Sequence, residues 1–350
     1  MTKHNLVLTD LMHMGDHFYF ENYWRFANVP NETFDYFANY YELPEFNLNK
    51  YDRKIALIDH RDSYHKSWRN EEYIHDIGRR IEKLHNLGFV FIIAHPWESN
   101  NNISIDVYKN LLKDKQVTRW EGDVSFFWHM MYEKHQNRKF MFDHSDKKYD
   151  FLYLNKNMYR KHRKKLYDAL SQQQLLKNSL VSFIDLGIRL PEEYELPWVD
   201  RKNYPYRGMD QDLFEAPYND TTFSIVSETN VGDNIFITEK IWKAIIAEHL
   251  FVVHGNNHYL KWLRQLGFKT FSEVFDETYD NETDEDKKIE KIVKTVRSIT
   301  EMDSTELYQR TKEIRTHNRQ LFFDKNTVKG VVGDSILRLL KFFDSSQISS

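Results

Sequence analysis

The sequence of 350 residues contains no cysteine, which excludes disulfide bonds, thiolate metal sites and cysteine nucleophiles. Long apolar runs are also missing, and no stretch approaches the length that spans a bilayer. The first twenty residues are interrupted by Asp10, His13, Asp16 and His17, which argues against a signal peptide. The formal net charge is only -4, so the chain lacks the global basic field that attracts nucleic acid. We therefore expect a cytoplasmic protein with no transmembrane segment and no nucleic-acid partner.

Apolar residues are plentiful enough to bury a core. They make up 41% of the chain, and the length suits two domains of ordinary size. Five apolar runs indicate buried strands, at 55–58, 89–94, 151–154, 222–226 and 250–253. Because these runs are continuous and not alternating, they are typical of parallel strands covered on both faces.

Helical patterns lie between the apolar runs. The clearest covers residues 71–87, where four apolar residues share one face and a glycine stands at the end: Ile74, Ile77, Ile81, Leu84 and Gly88. Further patterns predict helices over 159–173 and 238–248. The segment 276–286 is acidic and predicts an exposed loop, and the tail from 284 to about 344 is helical with breaks expected at Gly330 and Gly333.

Alternating strands and helices predict an α/β protein with doubly wound sheets. The polar segment HSDKKYD separates two apolar runs and marks a domain boundary. We place an N-terminal domain over residues 1–148 and a C-terminal domain, including the helical tail, over residues 149–350.

The segment 221–255 carries the strongest chemical signal. A strand is followed by Glu228, a polar loop, and a helix that Thr238 can cap, with Glu239 and Lys240 in its first turn. In open α/β sheets, ligands bind beyond the carboxyl ends of strands. Free N–H groups at a helix start attract phosphate, and a lysine there adds a full positive charge.

This segment resembles the donor-binding motif of the α1,3-fucosyltransferases. The resemblance rests on these residues in order: Phe223, Glu228, Thr238, Glu239, Lys240, Trp242, Ala244 and the run 251–255. The family has a tyrosine where Phe236 stands and an asparagine where Thr229 stands. The resemblance implies the GT-B fold, in which two Rossmann-like domains face a cleft, and a GDP-fucose donor.

Two further segments resemble the same family. The stretch NKNMYRKHRKKLYDAL has the family's asparagine at Asn155 and its diphosphate-binding arginine at Arg163, with Arg160 as the reserve candidate. Arginine suits a diphosphate because its planar fork can bind two oxygens. Upstream, Trp97-Glu98-Ser99 resembles the segment that holds the family's proposed catalytic carboxylate, so Glu98 is the candidate general base.

The resemblance implies an inverting, metal-independent transfer of a sugar to a glycan hydroxyl, with a nucleotide sugar as substrate and no other cofactor. Arg163 and Lys240 would neutralise the diphosphate, and Glu239 would hold the ribose. The implied donor-binding set is Asn155, Arg163, Glu228, Phe236, Thr238, Glu239 and Lys240.

The same residues also fit other interpretations. The helix start at 238–240 fits a simple cap, and the basic run 160–165 fits a solvated helix face. His95 is an alternative base, and Asp210 with Asp212 forms a D-x-D triplet of the metal-binding kind. The donor could be another nucleotide sugar, or the protein could bind carbohydrate without catalysis. His254 and His258, beside the glycine turn, are expected at the surface.

Overall fold

The structure is a computed structural model, and it describes residues 6–10, 35–37, 48, 51, 53–59, 71–94, 110–115, 117–120, 125–156, 158, 160–194, 212–232 and 235–345. The chain divides into two compact units. One consists of Met1–Phe126 with Lys329–Ser350, and the other of Phe127–Val328. The acceptor and donor roles assigned to residues 1–148 and 149–350 remain predictions.

The first unit contains a parallel sheet. Its strands are β1 (Leu6–Asp10), β2 (Asp35–Phe37), β3 (Arg53–Asp59), β4 (Val90–Ala94) and β5 (Val117–Trp120). They pair in the order β2-β1-β3-β4-β5. The crossover from β3 to β4 contains helix α1 (Glu71–Asn86), as a parallel connection requires.

Helix α1 forms where the apolar periodicity predicts it. Ile77, Ile81 and Leu84 are buried along one face. The helix ends at a left-handed turn, because Gly88 has φ of 81° and its N–H donates to the carbonyl of His85. Glycine takes that conformation without steric strain, so the chain can reverse directly into β4.

The second unit contains a four-stranded parallel sheet. Its strands are β6 (Tyr149–Asn155), β7 (Leu180–Phe183), β8 (Thr221–Ser227) and β9 (Leu250–His254), in the order β7-β6-β8-β9. The chain moves outward from β6 to β7, then returns past β6 to β8 and β9. The direction of winding therefore reverses between β6 and β8, which is the position where doubly wound sheets open a crevice at their carboxyl edge.

The remaining helices are α2 (Ser125–His135), α3 (Lys161–Gln172), α4 (Glu215–Asp220), α5 (Glu239–Ile246), α6 (Tyr259–Gln265), α7 (Glu285–Thr300), α8 (Ser304–Phe323) and α9 (Lys325–Ser345). An aromatic cluster joins α2, α5 and α8. The indole rings of Trp128 and Trp242 stack with centroids 5.4 Å apart, and Phe268 and Phe322 pack against both. Such large rings contribute much of the buried apolar area of a core.

The five predicted apolar runs all form parallel strands, so the α/β class with parallel sheets is confirmed. The expected breaks at Gly330 and Gly333 are wrong, because both glycines lie inside α9. The tail is instead divided near Asp303 and Asp324. Each of these aspartates accepts a hydrogen bond from a backbone N–H three residues ahead, which starts a new helix.

The acidic segment 276–286 is not the fully exposed loop that its composition predicts. Glu277 and Asp280 are buried because their carboxylates accept backbone N–H groups. Glu277 accepts from Phe271, and Asp280 accepts from Leu260 at the start of α6. Composition alone could not reveal these distant backbone partners.

Candidate functional site

The carboxyl edge of the second sheet holds the polar residues that the sequence singles out. Strand β6 ends at Asn155, β8 ends at Ser227 and β9 ends at His254, and the register places Ser227 beside His254. Helix α3 starts shortly after β6, and α5 follows the loop after β8. Two helix N-termini therefore lie on either side of the position where the winding reverses, an arrangement suited to anions.

Glu228 lies at the centre of this edge, and its side chain is 0% exposed. Its Oε1 accepts hydrogen bonds from the N–H of Thr238 at 3.1 Å and from the hydroxyl of Tyr259 at 2.6 Å. Its Oε2 accepts from the hydroxyl of Thr238 at 2.5 Å and from the N–H of Thr229 at 3.3 Å. A buried carboxylate is tolerable because these donors replace water. Burial, reinforced by this carboxylate, raises the pKa of Tyr259 well above 10, so the phenol remains a donor.

Arg163 approaches Glu228 from helix α3. Its Nε and Nη2 donate to the backbone carbonyl of Glu228 at 3.2 and 3.1 Å, and the side chain is almost fully buried. Burial and the neighbouring Arg160 lower its pKa, but a guanidinium stays charged at any ordinary pH. Arg163 Nη1 has no hydrogen-bond partner in the described part of the chain. The guanidinium therefore has N–H groups available for a ligand, while Nε and Nη2 each donate to the carbonyl of Glu228.

Lys240 approaches the same residue from helix α5. Its Nζ donates to Glu239 Oε1 at 2.7 Å, to Thr238 Oγ1 at 3.0 Å and to Thr229 Oγ1 at 3.3 Å. It lies 4.0 Å from Glu228 Oε2. Arg163 and Lys240, predicted from separate motifs, thus meet at one residue, the first at its carbonyl and the second beside its carboxylate.

Thr238 and Glu239 hold Lys240 in place. Thr238 precedes α5 with extended backbone, but its side chain makes no capping hydrogen bond. The expectation of a hydroxyl cap is wrong, because the hydroxyl donates to Glu228 and accepts from Lys240 instead. Burial opposes ionisation of Glu239, yet the Lys240 ammonium holds the pKa of Glu239 below its usual value. Glu239 is therefore an anion at neutral pH, with acceptors for hydroxyl groups.

Asn155 and His254 are buried polar residues at the same edge. Asn155 is 5% exposed, and a side-chain hydrogen bond with Asn155 partly offsets the rise that burial causes in the pKa of Tyr153. His254 is 0% exposed, and neither of its ring nitrogens has a hydrogen-bond partner among the described residues. The expectation of a surface position is therefore wrong for His254, because the buried strand β9 continues to this residue. The expectation is confirmed for His258, which is exposed. Buried polar atoms without partners are uncommon and often mark positions for water or a ligand.

His162 packs against His254 with ring centroids 5.4 Å apart. Its Nε2 lies 3.0 Å from the carbonyl of Glu228, so this nitrogen must carry the proton and donate it. Burial, followed by the charge of Arg163, lowers the pKa of His162 to about 3. Burial and His162 also hold the pKa of His254 well below 6.5. Both rings are neutral at physiological pH, so the positive charge here belongs to arginine and lysine.

Phe236 stands where the resemblance implies a tyrosine. Its ring is buried and meets Phe127 edge to face, with centroids 5.6 Å apart. Its N–H donates to the side chain of Asn256 at 2.9 Å, which fixes the loop that leads into α5. A role for Phe236 in binding a donor remains a prediction.

Several candidate residues cannot be placed. Glu98, His95 and Asp210 lie outside the described residues. Asp212, the other half of the D-x-D triplet, forms an ion pair with Lys134 at 2.6 Å. No cluster of three or more histidine, aspartate or glutamate side chains suited to a metal occurs in the described ranges. Across those same ranges, no helix is both long and apolar enough to span a membrane.

Neither a protein-family model nor a curated protein matches the sequence. One solved structure that is similar in shape is that of the DNA-modifying enzyme beta-glucosyltransferase, determined with and without its substrate uridine diphosphoglucose. The two chains share 11% identity with a TM-score of 0.43, over 95% of this chain and 98% of that chain. A TM-score this low establishes no shared fold, so the α/β assignment depends on the strands and helices described above.

Sequence patterns missed several residues that build the edge. Tyr259 lies thirty-one positions from its partner Glu228, and no motif links them. One signal was available at Gly255, where a Cβ would lie 3.0 Å from the Tyr259 ring and 3.3 Å from Glu228 Cγ. A glycine after a buried strand indicates close approach of another group. The sequence could not show which group that is.

Proposed function

We propose that this chain is a glycosyltransferase of the GT-B kind that binds a nucleotide sugar at the carboxyl edge of its second sheet. The observation that carries the proposal is the meeting of Arg163 and Lys240 at Glu228, where the winding of the sheet reverses. A diphosphate needs several cationic donors arranged around it, and arginine with lysine is a common combination. Helix α3 adds the positive end of its dipole, because its N-terminus lies at this edge.

The proposed reaction is a single displacement. An acceptor hydroxyl attacks the anomeric carbon, the bond to the diphosphate oxygen breaks, and the configuration inverts. Negative charge develops on the leaving diphosphate, and Arg163 with Lys240 neutralises it in place of a metal ion. The residues of this edge include those that resemble the α1,3-fucosyltransferases, so GDP-fucose is the proposed donor and a glycan hydroxyl the proposed acceptor.

The other residues receive roles that fit their surroundings. Glu239 is an anion next to Lys240, and we propose that it binds the ribose hydroxyls. Asn155 has an amide with unmet hydrogen-bonding capacity, which suits a phosphate or sugar oxygen. Glu228 positions Thr229 and Thr238 around the Lys240 ammonium. Glu98, from the N-terminal domain of residues 1–148, is the proposed general base. The cytoplasmic location of the protein remains a prediction.

The decisive experiment replaces Lys240 with methionine, which keeps the length of the side chain but removes its charge. We expect GDP and inorganic pyrophosphate to bind at least tenfold more weakly by calorimetry. With GDP-fucose and a glycan acceptor, turnover should fall by about 10²–10³, on the order of losing one preorganised donor. The matched control is Lys261→Met on α6, which removes an exposed lysine from the same unit.

Each part of the proposal has a result that would contradict it. If Lys240→Met binds pyrophosphate as tightly as the wild type, the proposed diphosphate site is wrong. Full activity in the presence of EDTA is expected, and a strict requirement for a divalent cation would contradict leaving-group stabilisation by Arg163 and Lys240. Glu98→Gln should retain nucleotide binding while turnover drops, and unchanged turnover would remove Glu98 as the base.

A further inference from the structure

The turn after β7 carries an exposed aspartate, Asp185. The N–H of Asp185 donates to the carbonyl of Lys156 at 3.0 Å, and Asp185 Oδ2 accepts the N–H of Met158 at 2.9 Å. These bonds tie the end of the edge strand to the loop that leaves β6. Asp185 is exposed, and its Oδ1 has no hydrogen-bond partner among the residues that the structure describes. The carboxylate is thus held in place while one oxygen faces solvent.

Large apolar side chains are exposed at the ends of β6 and β7, beside this turn. Met158 is 45% exposed, Leu154 is 38% exposed, and Ile184 is 36% exposed. Leu154 belongs to β6 and pairs in register with Ser182, two residues before Ile184, so the two apolar side chains lie at the same corner of the sheet. Exposed apolar groups gathered at one place commonly mark a binding surface. We call Leu154, Met158, Ile184 and Asp185 the β7 corner.

The β7 corner lies at the same carboxyl edge of the sheet as Glu228, to which Arg163 and Lys240 are bound or close. Strands β7 and β8 both pair with β6, and the N–H of Asp185 donates to the carbonyl of Lys156 just past the end of β6. Adjacent strands are about 4.8 Å apart, so the carboxyl ends of β7 and β8 are separated by roughly 10 Å across the edge. A nucleoside diphosphate with its phosphates near Glu228 can extend its base to this corner.

The connection β6–α3–β7 has the form of a nucleotide-binding half. In doubly wound sheets the phosphates lie at the helix after the first strand, and the nucleoside extends toward the carboxyl end of the next strand, where an acidic residue binds the ribose. Here α3 supplies Arg163, and Asp185 follows β7 directly. The corner therefore combines the expected position, an acceptor and an apolar platform.

We propose that the β7 corner is the nucleobase subsite of the donor pocket and that Asp185 selects guanine. The proposal depends on the function proposed above. An ionised carboxylate offers only acceptors. Guanine presents two adjacent donors, N1–H and the N2 amine, which two carboxylate oxygens can accept side by side. Uracil presents a single N–H between two carbonyls, and the carboxylate repels the oxygens of both carbonyls. The apolar side chains cover one face of the base.

The test compares ligands that differ by one group. GDP, inosine diphosphate, UDP and pyrophosphate are titrated by calorimetry into the full chain and into Asp185→Asn. Inosine diphosphate lacks only the N2 amine. We expect the wild type to bind GDP at least about tenfold more tightly than inosine diphosphate, which is the lower end of the range for one hydrogen bond to a charged group. Asp185→Asn should erase this preference and leave pyrophosphate binding unchanged.

The substitution is chosen to preserve the turn. An asparagine oxygen can still accept the N–H of Met158 while the amide nitrogen takes the place of the free oxygen. Asp146→Asn, an exposed aspartate before β6, is the matched control and should keep the GDP preference. If Asp185→Asn still distinguishes GDP from inosine diphosphate, the subsite is wrong while the proposed function stands. If neither pyrophosphate nor any nucleotide binds the wild type, the proposed function is wrong and this subsite falls with it.

Discussion

Replacing Glu228 by glutamine tests whether one buried carboxylate organises the candidate site. The change preserves the shape of the side chain but converts one acceptor oxygen into an NH2 donor. Each oxygen accepts one backbone N–H, from Thr238 at Oε1 and from Thr229 at Oε2, together with one hydroxyl. In either orientation of the amide, its NH2 group faces a backbone N–H that cannot rotate away.

The magnitude follows from the bonds lost. Two hydrogen bonds to a charged acceptor disappear in either orientation, and each contributes about 1.5–3 kcal/mol. The Lys240 ammonium also loses a carboxylate 4.0 Å away. Allowing for rearrangement of the hydroxyl groups, we expect the free energy of unfolding of the second unit to fall by about 3–5 kcal/mol. For a unit of this size, each kcal/mol lowers Tm by about 2–4 °C, so a decrease of about 6–20 °C is expected.

The assay is urea unfolding followed by tryptophan fluorescence, because Trp128 and Trp242 are buried in the second unit. Glu290→Gln, at an exposed position of α7, is the matched control and should change the free energy of unfolding by less than about 0.5 kcal/mol. If Glu228→Gln and Glu290→Gln unfold at the same urea concentration, the Glu228 carboxylate does not hold the edge together.

Three further predictions concern stability. Gly255→Ala should lower the free energy of unfolding by about 1–3 kcal/mol, because the added Cβ meets the Tyr259 ring. The control Gly330→Ala, which has open space around it inside α9, should be neutral or stabilising. Equal urea midpoints for the two variants would contradict this prediction. Burial holds the pKa of His254 well below 6.5, so below pH 6.5 the unfolded chain binds a proton that the folded chain excludes, and stability falls as the pH falls. His254→Phe should reduce this fall between pH 6.5 and 5, measured by urea midpoints, and an unchanged slope would refute it. Asp303→Ala removes the cap of α8 and should cost about 1 kcal/mol in thermal unfolding, and no loss would show that the cap is dispensable.

Strand and helix positions were predictable because they depend on local patterns. The continuous apolar runs at 151–154 and 222–226 became β6 and β8, since a chain segment that is apolar throughout must be covered on both faces. The period of Ile77, Ile81 and Leu84 identified α1 in the same way. The strands β1, β2, β5 and β7, by contrast, were not predicted, because segments of three to five residues carry too little periodicity.

The sequence by itself determined the α/β class, the positions of β3, β4, β6, β8 and β9, and the placement of Arg163, Glu228 and Lys240 at strand ends and helix starts. Only the tertiary structure decided that Arg163 and Lys240 meet at Glu228, that Tyr259 completes the hydrogen bonds of Glu228, and that His254 is buried with no hydrogen-bond partner among the described residues. The physical reason is the range of the interactions. Periodicity and capping involve neighbours a few residues apart, whereas the partners at this edge are brought together by strand order and register, which no local pattern encodes.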